Sequence, residues 1–227
     1  MEMQDMPKKA AATREDRYSR TVGLLGESAV EKLRRARVLI FGLGGVGGYA
    51  AEALLRSGVE KLTLVDGDTV AESNLNRQLF ATTEVIGLPK TEAARKRLQS
   101  IAPAAEIDCL QMFFGPDTPA DEIDFASYDY VVDAIDTVAA KVEIVRRAKA
   151  AGVPVISAMG AGNKVDPTAF TVSDIGKTDT CPLARAVRLA LRRQGITHLT
   201  VVWSRELPHR SDACPGTAPA SFAPVVG

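Results

Sequence analysis

The chain has 227 residues, which suits one α/β domain with a small appendage. Lys plus Arg and Asp plus Glu are equal at 28 each, so no bulk field draws the molecule to nucleic acid or to an anionic membrane. Hydrophobic residues at 46% suffice for a full core, and no apolar run approaches the roughly 20 residues of a bilayer span. The three cysteines, Cys109, Cys181 and Cys214, form no C-x-x-C pair, which argues against a disulfide framework or a structural zinc site and favours a reducing, cytoplasmic setting.

Residues 1–16 lack the apolar centre of a signal peptide and read as a flexible N-terminal arm. Glu27 to Arg35 reads as a short helix. Val38 to Phe41 is a short apolar run stopped by Gly42, the mark of a buried parallel strand. A helical pattern follows from Tyr49 to Arg56, ended by Gly58. KLTLVD is the second strand, ending at Asp66, and a polar stretch without clear periodicity runs from Gly67 to Leu88. Pro89 and Lys90 open a helix that closes before Pro103. Ile107 to Met112, Tyr128 to Ala134 and Val153 to Ala158 read as strands, with a helix from Val138 to Ala151. AFTVSD and LTVVW read as two strands around a helix from Pro182 to Gln194. Strand and helix alternate over the first 160 residues. That predicts a Rossmann-like, doubly wound, mostly parallel sheet, with a small C-terminal α+β extension completing the substrate site.

Gly42, Gly44 and Gly47 spell G-x-G-x-x-G, with Gly45 as an extra glycine, between a strand and a helix. Such a loop lets phosphate approach main-chain N–H groups at a helix N-terminus. Asp66 follows at the end of the next strand, about 20 residues on, where an acid accepts hydrogen bonds from ribose. The motif points to an adenine nucleotide and leaves NAD, FAD and ATP open. The structural alternative is a tight turn that merely packs helix on strand.

The stretch after Asp66 favours ATP. Asp68, Asn74, Asn76, Arg77 and Gln78 fall beyond the carboxyl edge of the sheet, and Lys90 opens the next helix. A dinucleotide is held largely by backbone N–H groups, whereas a triphosphate under attack needs cations against the departing pyrophosphate. Asp133 and Asp136 end the strand YDYVVDAID at the same edge, and a carboxylate there suits Mg²⁺ held jointly with phosphate oxygens.

These segments together resemble a known superfamily. RYSRT, GLGGVGG, LVDGDTVAESNLNRQ, GLPKTEAA and VVDAIDT occur in the order seen in ubiquitin-activating-type enzymes, which include the adenylyltransferases of thiamine and molybdopterin biosynthesis. The resemblance spans residues 17–172, read as the ATP-binding domain, with residues 173–227 as the extension. It implies a homodimer using ATP and Mg²⁺. Asp66 would bind ribose, Arg77 and Lys90 the phosphates, and Asp136 the magnesium. Asn74 and Asn76 would line the nucleotide site, and Arg20 would reach across the dimer to the partner's ATP. The second half, GAGNKVDPTAFTVSDIGKTDTCPLARAVRLALRRQGI, has no C-x-x-C pairs and resembles tRNA threonylcarbamoyladenosine dehydratases. In that family ATP activates the threonyl carboxylate of the modified adenosine beside the anticodon, and the modification closes on itself with loss of water. Family members continue past the SFAPVVG stretch into an apolar helix, and HRSDACPGTAPAS departs from their pattern.

Four readings therefore stand: a dehydratase acting on tRNA; an adenylyltransferase for a ubiquitin-like or sulfur-carrier protein; a nucleotide-binding scaffold; and an NAD-dependent dehydrogenase. A sulfur-transfer protein is a further candidate partner, through Cys181 at a helix start or Cys214 in a polar loop. Both cysteines read better as packing or incidental residues, and Cys109 as core. The helix Pro182 to Gln194 puts Leu183, Val187 and Leu191 on one face and Arg185, Arg188 and Arg192 on another, with Arg193 beside them. That basic stripe is either a solvated face or a seat for tRNA phosphates. His198 and His209 show neither metal spacing nor a paired acid.

Overall fold

The computed structural model describes residues 17–209. The N-terminal arm, Cys214 and the HRSDACPGTAPAS and SFAPVVG stretches lie mainly or wholly outside them. The described residues form six α-helices and seven strands, in chain order α1 (Ser19–Leu25), α2 (Glu27–Arg35), β1 (Arg37–Phe41), α3 (Gly47–Ser57), β2 (Lys61–Val65), α4 (Lys90–Ile101), β3 (Glu106–Leu110), β4 (Tyr130–Asp133), α5 (Val138–Ala150), β5 (Val155–Ala158), β6 (Phe170–Asp174), α6 (Pro182–Arg192) and β7 (Thr200–Ser204).

The strands form one sheet in the order β3-β2-β1-β4-β5-β7-β6. All neighbours are parallel except β6 and β7, which pair antiparallel from Phe170 opposite Ser204 to Asp174 opposite Thr200. Strand order reverses between β1 and β4, so the carboxyl ends of those two strands flank the crevice where open sheets bind ligands. The doubly wound expectation holds. The last two strands extend the same sheet.

Helices cover both faces, which is why the central strands read as unbroken apolar runs. One core layer gathers Leu39, Phe41, Val131, Ile144, Val187 and Trp203; the other gathers Ile40, Leu55, Leu62, Leu64 and Leu98. Phe41, Phe114 and Phe125 meet edge-on and offset, with centroids 4.7 to 6.0 Å apart. No helix among the described residues is long and apolar enough to cross a membrane.

Several boundaries differ from the sequence reading. β3 runs from Glu106 to Leu110 rather than 107–112, because Met112 has left the ladder. Asp66 lies one residue past β2, where its carboxylate caps the turn. α3 begins at Gly47, two residues earlier than the periodicity indicates, since glycines carry no apolar pattern. The stretch 67–88 contains two short 3₁₀ turns, Glu72–Asn74 and Thr83–Val85. α1 escaped prediction because it has no buried residue and hence no apolar stripe.

Candidate functional site

The glycine loop joins β1 to α3 at the switch point. Gly42 has φ 86° and donates its N–H to Val65 O at 2.8 Å. A Cβ there would come within 2.8 Å of Ala134 O, and one on Gly47 would lie 1.8 Å from Gly42 O. The loop therefore closes only without side chains at Gly42 and Gly47, and its tightness brings Ala134 and Ile135 against it. Gly44 is open; the nearest atom to a notional Cβ is Gln78 Nε2 at 3.8 Å. Gly45 completes the turn into α3.

Asp66 anchors this loop. One carboxylate oxygen accepts Leu43 N–H at 2.7 Å, and the other accepts Asp68 N–H at 2.9 Å. A carboxylate has about four lone-pair positions, so capacity remains for incoming hydroxyls. The chain then pairs back on itself: Val70 N–H bonds Leu88 O, and Lys90 N–H bonds Asp68 O. This pairing brings Lys90 beside Asp68, with Nζ 2.7 Å from Oδ2. The lysine side chain is 10% exposed and the aspartate 54%, so the ammonium sits at a rim. One N–H meets Asp68, and two more are available on an ammonium.

Asn74 is buried, and its Oδ1 accepts Ala71 N–H at 3.0 Å while its carbonyl accepts the N–H groups of Arg77 and Gln78. It shapes the 3₁₀ turn that presents the next three residues. Arg77 Nη1 donates to Ser73 O at 2.8 Å and Asn76 Oδ1 at 2.9 Å, leaving Nε and Nη2 without a partner among the described residues. Gln78 is buried beside the glycine loop. Asp136 is exposed, just before α5, with a long 3.4 Å contact from Thr137 Oγ1.

The glycines, Asp66, Asp68, Lys90, Gln78 and the loop carrying Asp136 thus share one edge of the sheet, with the Asn74–Arg77 turn beside them. Arg20 does not join them. It is exposed on α1, in a shallow depression lined by Ser19, Arg20, Gly23 and Leu24, of about 500 Å³. No described group of three or more His, Cys, Asp or Glu side chains could cage a metal ion.

Asp133 departs from its expected role. Its side chain is fully buried beneath the edge, where Lys141 Nζ lies 3.0 Å from Oδ2. Lys141, also fully buried, donates further to Ser157 Oγ at 3.2 Å and Ala158 O at 2.7 Å, and Ser157 Oγ donates to Asp133. Asp133 Oδ1 accepts Ile135 N–H at 3.3 Å. An acid so enclosed cannot reach a metal at the rim; it braces the loop of Asp136 from below. The sequence reading missed Lys141, although a lysine inside the apolar run AAKVEIV, eight residues after an aspartate, was its signal.

Cys181 is buried in the core at the start of α6, as a packing residue should be. Cys109 donates to Thr91 O at 3.3 Å, and burial pushes its thiol up to about 11. Neither offers an accessible thiolate. Both histidines, unlike the expectation, have acid neighbours: His198 Nδ1 is 3.3 Å from Asp174 Oδ2, brought there by the β6–β7 pairing, and His209 Nε2 is 2.8 Å from Glu206 Oε1.

A model of the ThiF family matches residues 18–201. The chain belongs to the ThiF family. Within it, the chain is 42% identical over 192 residues to the tRNA threonylcarbamoyladenosine dehydratase of Bacillus subtilis, covering 84% of this chain and 75% of that one. The protein of that name in Escherichia coli is 37% identical over 176 residues, with 78% of this chain and 65% of the relative covered. The molybdopterin-synthase adenylyltransferase of E. coli is 38% identical over 160 residues, covering 70% and 64%. Among solved structures, E. coli tRNA N6-threonylcarbamoyladenosine dehydratase in complex with AMP superposes with a TM-score of 0.83 at 32% identity, over 92% of this chain and 87% of that one. The same enzyme in complex with ATP gives 0.82 over the same shares.

Proposed function

We propose that this ThiF-family chain is an ATP-dependent tRNA threonylcarbamoyladenosine dehydratase. The observation that carries the reading is the agreement in fold with the ATP-bound E. coli dehydratase over 92% of this chain. The lack of C-x-x-C pairs and the burial of Cys181 favour it over sulfur-carrier chemistry.

The residues divide the work by what each can offer. Backbone N–H groups of the Gly42–Gly47 loop and the start of α3 cradle phosphate. Asp66 receives ribose hydroxyls, Asp68 holds Lys90 in register, and Asn74, Asn76 and Gln78 line the nucleotide. Arg77 and Lys90 offset the charge that gathers on the leaving phosphate as a carboxylate oxygen bonds to phosphorus. Asp136 suits Mg²⁺, since its carboxylate is exposed at the rim and no protein cage surrounds it. Mg²⁺ prefers one or two carboxylates with substrate oxygens completing the shell, and supplies Lewis acidity to the phosphate.

The chemistry follows from a poor leaving group. A carboxylate cannot expel oxide, but a mixed anhydride with phosphate expels a stable anion. A nucleophilic atom of the urea group in the same modification then attacks the activated carbonyl as the urea gives up one proton, closing the ring at high effective concentration. The carboxylate oxygen leaves on phosphorus, so the modified nucleoside loses one water overall. No enzyme nucleophile is required.

Two subunits form a homodimer in this reading, with Arg20 of each reaching the other's phosphates. Incubating the protein with ATP and tRNA bearing threonylcarbamoyladenosine, followed by nucleoside mass spectrometry, should show loss of one water. Lys90→Ala and Arg77→Ala should each lower kcat at least ~100-fold, in the range of removing one transition-state donor, with the fold retained by circular dichroism. An unaltered nucleoside would sink the assignment, and full activity in either variant would sink the site.

A further inference from the structure

Most helical arginines in this molecule are neutralised at home. Arg35 pairs with Glu31, Arg56 and Arg97 with Glu52, Arg95 with Glu92, and Arg146 and Arg147 with Glu143. α6 is different: its sequence PLARAVRLALR contains no acid. Arg188, expected on the basic face, is drawn inward, its Nη1 donating to Ile175 O at 3.2 Å and Thr178 O at 2.7 Å. Arg185, Arg192 and the following Arg193 remain exposed, and their side chains make no hydrogen bond or ion pair among the described residues.

The three share one face. Ala184, Val187 and Leu191 turn into the core, and Arg185, Leu189, Arg192 and Arg193 project opposite. Arg185 and Arg192 are separated by about 10 Å of helix rise. That spans several phosphates of a polynucleotide strand, whose charges recur every ~3.4 Å along a duplex axis.

Position adds direction. α6 begins at the edge that holds the crevice: a Cβ on Gly160, just past β5, would lie 3.8 Å from Cys181 Sγ, and Thr180 Oγ1 donates to Ser204 O at the end of β7, 3.2 Å away. The helix then carries its cations away from that edge. We propose that the outer face of α6 seats the sugar–phosphate backbone of the RNA substrate as it leaves the crevice, through Arg185, Arg192 and Arg193. This rests on the dehydratase reading above. In a near-neutral protein, three side-chain cations without acid partners along one helix face give a polyanion a local seat that the bulk charge does not.

The test is equilibrium binding of tRNA bearing threonylcarbamoyladenosine at several KCl concentrations, to wild type and to Arg185→Gln/Arg192→Gln/Arg193→Gln. Loss of three phosphate contacts should weaken binding about 10- to 100-fold and flatten the slope of log K against log salt by about 2. ATP affinity and the thermal midpoint should match wild type. The triple Lys variant, which keeps the charges, should recover most of the affinity and slope, and so separates charge from folding. A triple Gln variant with wild-type tRNA affinity and slope would overturn the proposal alone. So would one that keeps tRNA but loses an acidic protein partner. Wild-type protein that binds no tRNA would overturn the dehydratase reading together with it.

Discussion

Lys141 shows how a single residue can support a site it never touches. Its ammonium is enclosed by a carboxylate, a hydroxyl and a carbonyl, so each of its three N–H groups has a partner. Removing it strands Asp133 as an unpaired buried charge. Lys141→Met should therefore cost about 3–5 kcal/mol in urea denaturation. Adding Asp133→Asn should return part of that loss, because the stranded charge is gone. A double variant as unstable as the single would show that packing, not charge, holds β4 and β5 to α5. Lys90 is the contrasting case: its partner Asp68 is more than half exposed, so the pair adds little stability and leaves the cation available.

Elements that carry a strong apolar rhythm were legible in advance. β1, β2, α4 and α5 fall where the runs RVLIF, KLTLV and the helical periodicities put them. The glycine loop was legible because its chemistry is written in residue type. What escaped was structure whose cause lies elsewhere in the fold. α1 has no buried face, and Asp133 and Lys141 meet only once β4 and α5 are packed. Arg188 turns inward because the 175–178 turn offers carbonyls that no local pattern reveals. The same logic makes the β1–loop–α3 unit testable. Gly47→Ala places a methyl inside Gly42 O and should lower stability by about 1–3 kcal/mol. Gly44→Ala meets nothing closer than Gln78 Nε2 at 3.8 Å and should leave the thermal midpoint unchanged.

At the scale of the assembled molecule, the proposed reach of Arg20 into a second subunit makes a sharp prediction. Arg20→Ala and Lys90→Ala should each be inactive alone. Unfolded together and refolded, they should form hybrid dimers in which one of two sites has both residues intact, restoring about a quarter of wild-type turnover. No recovery on mixing would confine Arg20 to its own subunit or remove it from the reaction.

The placement of β7 has a consequence for how the chain matures. It is the last described strand, yet it lies between β5 and β6, so both wait for residues 200–204 before their edges close. During synthesis β6 leaves the ribosome with no neighbour to bind, and Val172 on it stays 61% exposed even in the finished sheet. That interval leaves an unsatisfied, sticky ribbon on the nascent chain. Slow translation through the α6 codons would lengthen it and raise the demand for chaperones.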